Sequence, residues 1–307
     1  MARIEIRMGG YGPPTTTFSR ALKFVAERLE QRFGDEIAVR TVWNIMDLGY
    51  RADDIVWLVE SGILTLGYQS SSYFTERVPE LGVADLPFLF PDIAAARAAY
   101  DGPLGQILAA RLEAAMNYRI FGWFENGFRH ISNRLRPIHR PADMTGMRIR
   151  VLPSEVQART FALLGAVPQK LDLTEAIQAI KAGTVDAQEN PLANTVTYGV
   201  HKFHRYHTLS GHFYLSRPIF LHRPTVDAWP AEFRDALRQA VAEAIPYQRR
   251  LALEEERKSE AAIRAEGCEI VMLDAAEHAE FAAAVQPQRV EARGRTPREI
   301  LSLLPGF

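Results

Sequence analysis

Hydrophobic and polar positions alternate from the first residues of the chain. Ala2, Ile4, Ile6 and Met8 interleave with Arg3, Glu5 and Arg7, the period of a half-buried strand. A turn follows at Gly9-Gly10-Tyr11-Gly12-Pro13-Pro14. The period then changes. Phe18, Leu22, Val25, Leu29 and Phe33 recur at helical spacing, and Gly34 ends the run. Ile37–Trp43 reads as a second strand and Ile63–Gly67 as a third, with a helix marked by Ile55, Leu58 and Val59 between them and closed by Gly62. A helix over Ile93–Ala115 and a strand over Tyr118–Phe124 follow. Strands separated by helices predict mostly parallel sheets covered on both faces, an α/β fold.

A second unit of the same kind starts near residue 126. Met147–Leu152 is its strand. Ser154 and Gln157 form an expected capping box before Phe161, Leu163 and Leu164, and Gly165 ends that helix. Asp172 and Glu175 repeat the device before Ile177 and Ile180, with Gly183 as the stop. Thr184–Ala187 is expected as a short strand with Gln188-Glu189-Asn190-Pro191 at its C-terminal end, where open α/β sheets place their ligands. From Pro230 to about Glu266 nearly every residue favours helix, with Pro246 as the one interruption and an expected kink. Such a helix runs roughly 55 Å, longer than one domain, so it is expected to bridge two. Cys268–Leu273 is a last strand, followed by two helices, the first interrupted by Pro287 and the second opened by Thr296-Pro297.

Composition narrows the function classes. A length of 307 residues predicts two domains, and 47% apolar with 24% charged residues is globular composition. A net charge of −1 offers no footprint for nucleic acid. Apolar runs such as Leu86–Phe90 fall far short of the roughly 20 residues that cross a bilayer. The single cysteine, Cys268, excludes an intramolecular disulfide framework and a multi-cysteine zinc site, and reads as a buried structural thiol. The N-terminus carries no basic segment followed by an apolar stretch, so either the chain is cytoplasmic or a leader was removed before this sequence begins.

Neither a phosphate-cradling glycine motif nor a nucleophile elbow is present. His201, His204 and His207, with His212 nearby, would converge on zinc if they lay on one helix; otherwise they are partly exposed histidines near the crossing between domains. Arg148 and Arg150 flank Ile149 in a strand and so share a face, and Arg129 follows Glu125-Asn126-Gly127 at the end of another. A guanidinium suits a carboxylate because its planar fork donates two parallel, charge-assisted hydrogen bonds. Surface ion pairing is the alternative for each of them.

Four segments carry a resemblance that runs nearly end to end: Pro79-Glu80-Leu81-Gly82-Val83-Ala84-Asp85-Leu86-Pro87-Phe88-Leu89-Phe90; Asn126-Gly127-Phe128-Arg129-His130; Ala142-Asp143-Met144-Thr145-Gly146-Met147-Arg148-Ile149-Arg150-Val151; and Gly183-Thr184-Val185-Asp186-Ala187-Gln188-Glu189-Asn190-Pro191. With them the chain resembles the solute-binding proteins of TRAP (tripartite ATP-independent periplasmic) transporters, in the dicarboxylate-binding-protein-like branch. The resemblance implies a two-lobed periplasmic-binding-protein-like fold with an inter-domain cleft and a long bridging helix. Domain one would take residues 1–125 plus about 216–254, and domain two 126–215 plus about 255–307. It implies a monomer in the periplasm that delivers a sugar acid or dicarboxylate to membrane permease subunits, with no cofactor, no resident metal and no catalysis. The family's ligand-clamping arginine falls on Arg150, its helper arginine on Arg129 and its asparagine on Asn190. Tyr11, Gln69, Ser70 and Tyr73 are expected to set which acid fits, Glu125 and Asn126 to read hydroxyls, and His212 to contribute from the return crossing. Glu189 would orient Arg150 from behind. Competing readings are a sensor or orphan binding protein of the same fold, an enzyme using Glu125, Glu189 or His212 as acid/base, and a zinc function through the histidine cluster.

Overall fold

A computed structural model describes residues 3–307; Ala2, at the head of the first alternation, lies outside them. The chain runs β1 (Ile4–Gly9), α1 (Thr17–Phe33), β2 (Ile37–Val42), α2 (Ile55–Glu60), β3 (Leu66–Tyr68), α3 (Ile93–Asp101) and α4 (Pro103–Ala115). It continues with β4 (Tyr118–Asn133), β5 (Arg148–Val151), α5 (Glu155–Leu163), β6 (Val167–Lys170), α6 (Leu173–Ala182), β7 (Ala187–Asn190) and α7 (Leu192–Thr197). It ends with β8 (Tyr206–His222), α8 (Arg223–Asp227), α9 (Ala231–Ala265), β9 (Glu269–Met272), α10 (Ala275–Ala284), α11 (Gln286–Arg295) and α12 (Arg298–Leu301).

The chain divides into two compact units. Unit 1 holds Met1–Ser70, Gly105–Glu125 and Ser216–Leu253, and unit 2 holds Ser71–Leu104, Asn126–Leu215 and Glu254–Phe307. Residues 71–104, placed with domain one from the sequence, group with unit 2. The hydrogen bonds of Ser72 and Asp85 to Gln157, and of the Phe88 amide to the His212 carbonyl, show why. The chain passes from one unit to the other after Ser70, within α4, within β4, within β8 and within α9.

In unit 1, β1 lies between β2 and β3, parallel to both, and β3 pairs antiparallel with the C-terminal part of β8. Ile6, Met8, Leu22, Val25 and Leu66 are buried there. In unit 2, β7 lies between β4, antiparallel to it, and β5, parallel to it, and β6 extends β5. β9 adds in parallel to the start of β8. Ile131, Ile149, Val151, Phe161, Ala187 and Phe213 form the core of this unit.

Several boundaries depart from the sequence pattern for identifiable reasons. The single helix over residues 93–115 is two, because Gly102 precedes Pro103 and adopts an extended backbone that a helix cannot continue. The strand expected to stop at Phe124 runs on to Asn133. The expected strand at residues 184–187 lies three residues later. The Thr184 amide and hydroxyl both bond the Ala179 carbonyl and so belong to the end of α6, which puts Gln188, Glu189 and Asn190 inside β7. Pro287 opens α11 rather than interrupting α10, so three helices finish the chain. α9, by contrast, is the single long helix expected from the sequence, 35 residues with Pro246 inside it and exposed. Among the described residues no helix is long and apolar enough to cross a membrane.

Candidate functional site

The position of β7 inside the unit 2 sheet fixes two faces. Side chains alternate along a strand, and cross-strand neighbours share a face. Arg150 pairs with Gln188 and Gln169, and His130 pairs with Asn190, so these side chains occupy one face. Ile149, Ala187, Glu189 and Ile131 occupy the other, which is the core, and Arg129 joins them two residues before Ile131.

On the first face, near the C-terminal ends of β5 and β7, Arg150 is 2% exposed. Its Nε–H donates to the Leu171 carbonyl at 3.0 Å and one Nη2–H to the Tyr73 hydroxyl at 3.4 Å. These bonds hold one edge of the guanidinium. Nη1 bonds to nothing among the described residues, which leaves the terminal fork as a pair of donors. Asn190 donates to Gln188 Oε1 at 3.0 Å and accepts from Asn194 at 3.2 Å, and Asn194 also donates to Asn126 Oδ1 at 3.3 Å. Gln188 closes the ladder on Thr195 at 3.1 Å. Glu256 of α9 accepts from the Leu192 and Ala193 amides at 3.0 and 3.1 Å, so a carboxylate caps α7 directly behind Asn190. Burial raises that carboxyl above its ordinary range.

On the core face, Arg129 and Glu189 are 1% and 0% exposed. Arg129 Nη2 donates to Glu189 Oε1 at 2.7 Å and to the Glu189 carbonyl at 2.6 Å, and its Nε–H donates to Oε2. Burial pushes the Glu189 carboxyl up, but the Arg129 charge and the nearby His212 ring bring it below the ordinary range. His212 Nε2 lies 3.6 Å from Glu189, its Nδ1 bonds Ser210 Oγ at 2.7 Å, and its ring meets Phe161 edge-on. Burial lowers the His212 pKa. Glu189 therefore holds Arg129, not Arg150 as the sequence reading had it.

Arg148 is the unlike member of the Arg148/Arg150 pair. It bonds Asp186 through Nε and Nη2 at 2.8 Å each, and Arg134 joins the same carboxylate at 2.7 Å. Arg148 is partly exposed, and the two guanidinium groups hold Asp186 far below the ordinary carboxylate range.

In unit 1 the candidates already serve local structure. Gln69 donates to the Ala52 carbonyl at 2.9 Å and accepts from the Ser70 amide at 2.8 Å. The Glu125 backbone is held at both ends by Gln248 of α9. The Tyr11 ring lies 5.3 Å from that of Tyr68, tilted by 41°. The sequence reading missed Arg217, which is buried with its guanidinium 4.0 Å from the Phe18 ring centroid and within 6 Å of Tyr11 and Tyr68. An arginine inside an apolar strand was the available signal.

The histidine cluster does not lie on a helix. His201 sits in a single 3-10 turn, His204 in the following loop and His207 in β8. His204 bonds Ser132 at 2.9 Å, and His207 bonds the His204 carbonyl at 3.0 Å. Burial pushes His204 down to about 3 and His207 to about 4, so both are neutral at neutral pH. Among the described residues no three His, Cys, Asp or Glu side chains are grouped to hold a metal ion. The Cys268 thiol is half-buried, not fully buried as expected; it donates to the His201 carbonyl at 3.3 Å, and burial raises its pKa.

Comparison with known proteins places this geometry in a family. The model for "Bacterial extracellular solute-binding protein, family 7" matches residues 8–293. The C4-dicarboxylate-binding periplasmic protein DctP of Rhodobacter capsulatus is 32% identical, over 94% of this chain and 86% of that protein. The sugar acid binding protein DctPAm of Advenella mimigardefordensis, solved in complex with galactonate, superposes with a TM-score of 0.93 at 25% identity, over 99% and 97% of the two chains. A TRAP periplasmic solute binding protein of Sulfurospirillum deleyianum, solved with bound succinate, superposes with a TM-score of 0.91 at 27% identity, over 99% of each chain. The chain belongs to family 7 of the bacterial extracellular solute-binding proteins, the DctP-type solute-binding proteins of TRAP transporters.

Proposed function

We propose that this protein captures a small organic acid, a sugar acid or a C4-dicarboxylate, by its carboxylate, and delivers it outside the cytoplasm to the membrane permease of a TRAP system without transforming it. The observation that carries this reading is Arg150: a buried guanidinium, fixed along one edge by Leu171 and Tyr73, with its terminal fork left to donate. Two charge-assisted bonds of about 1.5–3 kcal/mol each supply about 3–6 kcal/mol, the scale of millimolar to tens-of-micromolar affinity, and the remaining contacts add to it. Asn190, fixed by Gln188 and Asn194, has a second amide hydrogen for the same ligand. Galactonate and the C4-dicarboxylates of the relatives give the ligand class: polar, anionic and small.

Arg129 and His212 stand outside the proposed clamp, because Glu189 engages both. A thermal-shift screen tests the reading, since a ligand that binds only the folded state raises Tm by mass action. At least one sugar acid or dicarboxylate is expected to raise Tm, and the matching alcohol galactitol to leave it unchanged. A rise with the alcohol and none with any acid would overturn the reading.

A further inference from the structure

The segment Pro79–Phe90, part of the family resemblance, has no part in the clamp described above, yet it ends a 3-10 turn in a fully buried acid. Asp85 is 0% exposed. Ser72 Oγ donates to Asp85 Oδ1 at 2.7 Å. Gln157 Nε2 donates to the same oxygen at 3.3 Å and to Ser72 Oγ at 3.0 Å. Gln157 was expected to complete a capping box on Ser154. Instead its Oε1 accepts the Leu152 amide at 3.2 Å, so its amide group joins Asp85 to the segment that leaves β5.

Both ends of this cluster lead to Arg150. Ser72 shares a 3-10 turn with Tyr73, whose hydroxyl accepts from Arg150. Thr75 closes that turn on the Ser72 carbonyl at 2.8 Å and reaches the Pro153 carbonyl at 3.4 Å. Leu152, held by Gln157, lies two residues beyond Arg150. The Tyr73 hydroxyl and the backbone carrying Arg150 are thus set against each other by one carboxylate.

The opposite end of the segment is also fastened. Phe88 has a left-handed backbone, φ 51°, a strained conformation for a bulky residue, and its amide donates to the His212 carbonyl at 2.8 Å.

We propose that Asp85, acting through Ser72, Gln157 and Tyr73, is a positioning residue that aims the Arg150 fork at the ligand carboxylate. This rests on Arg150 being the clamp. The charged groups around Asp85 are few. Glu189 of β7 faces it with like charge, and Glu189 is itself tied to Arg129 and His212. Glu155 and Arg159 on α5 are exposed and paired with Lys170 and Glu291. Glu76 and Arg77, beyond the Tyr73 turn, are exposed. Burial lifts the Asp85 carboxyl to about 6 against the hydrogen bonds of Ser72 and Gln157. The aim of Arg150 is therefore sensitive to pH just below neutrality, where a proton on Asp85 weakens its acceptance from Ser72 and Gln157.

The test reads the Arg150 Nε–H signal by ¹⁵N NMR from pH 7.5 to 5, in the full chain and in Asp85→Asn, with Ser72→Ala as a second variant should Asp85→Asn fail to fold. The signal in the natural sequence is expected to move with a midpoint near pH 6, the midpoint to vanish in Asp85→Asn, and its amplitude to shrink in Ser72→Ala. In parallel, D-galactonate and succinate binding is measured by calorimetry. Binding is expected to weaken about tenfold at pH 7.5, in Ser72→Ala through the loss of a hydrogen bond and in Asp85→Asn through the loss of the charge that strengthens two. An Arg150 signal that titrates alike in natural and variant proteins, with unchanged affinity, overturns the proposal. Failure of the natural protein to bind any acid refutes the binding function instead, while the NMR titration still decides whether Asp85 is coupled to Arg150.

Discussion

Two buried arginines on the two faces of one small sheet behave in opposite ways. Arg129, on the core face, has a closed circuit: Glu189 takes its Nε–H and two of its Nη2 contacts, and His212 stands behind the same carboxylate. Arg150, on the other face, is braced only by a carbonyl and a phenol, neither of them charged. A buried cation with an anion beside it is structure. A buried cation whose partners are all neutral keeps its charge in need of a counterion, and removing charge from water is expensive unless a ligand supplies one. On the proposed reading this difference gives the first arginine a role in stability and the second a role in binding, although both are arginines and both are buried.

The sharpest way to break this contrast is at Arg129. Arg129→Ala leaves Glu189 as an uncompensated buried charge and should destabilise the fold by about 3–5 kcal/mol in chemical denaturation. Replacing Arg129 and Glu189 together by Met and Leu should recover most of that loss, because a hydrophobic pair of similar volume avoids the desolvation penalty. If Arg129→Ala leaves stability intact and abolishes acid binding, the assignment is reversed. Arg150→Lys comes next. It keeps the charge and loses the planar fork, so acid affinity should fall by about 1–3 kcal/mol, read by calorimetry, while the denaturation midpoint stays near that of the parent.

Acid titration sharpens the contrast further, because neutral buried histidines flank it. Burial, with the nearby His212 and Arg129 charges, lowers His130 to about 3, and His204 and His207 lie at about 3 and 4. Their unfolded value is near 6.5, so between 6.5 and 4 the unfolded chain binds the extra protons. Stability should therefore fall as pH drops, by up to about 1.4 kcal/mol per pH unit for each histidine. Asp85 works with the opposite sign. Its folded value near 6 lies above the unfolded 3.8, so ionisation near pH 7 costs the folded state about 3 kcal/mol, and that is regained as pH falls through 6. Denaturation of Asp85→Asn against the parent across pH 4–7.5 isolates this term: the difference should shrink as the pH falls. The smallest effect belongs to Arg148→Ala. That side chain is partly exposed and paired with Asp186, so acid binding should be unchanged and thermal unfolding only slightly earlier.

The sequence pattern carried most of the architecture because it is written in local periods: the alternation of Ile4, Ile6 and Met8, the helical spacing from Phe18 to Phe33, and the capping box of Asp172 and Glu175 all stand in the structure as expected. What stayed hidden was set by partners distant in sequence. Period 2 put Arg148 and Arg150 on one face, but only Asp186, 38 residues on, shows which one is an ion pair. β7 was displaced because Gln188-Glu189-Asn190 has no β-branched or aromatic residue. Its extended backbone comes from pairing with β4 and β5 on either side. That shift separated Asn190 from Glu189 and so moved Glu189 from Arg150 to Arg129. Gln157 fitted a local helix-start pattern and was recruited elsewhere by Asp85, 72 residues earlier.

Isothermal titration of galactonate and succinate into the natural protein and into Arg150→Ala tests the central claim most directly. The substitution should weaken binding by about 2–5 kcal/mol, because the ligand carboxylate then lies buried without its cation. An Arg150→Ala protein that binds the acid as tightly as its parent would contradict the account.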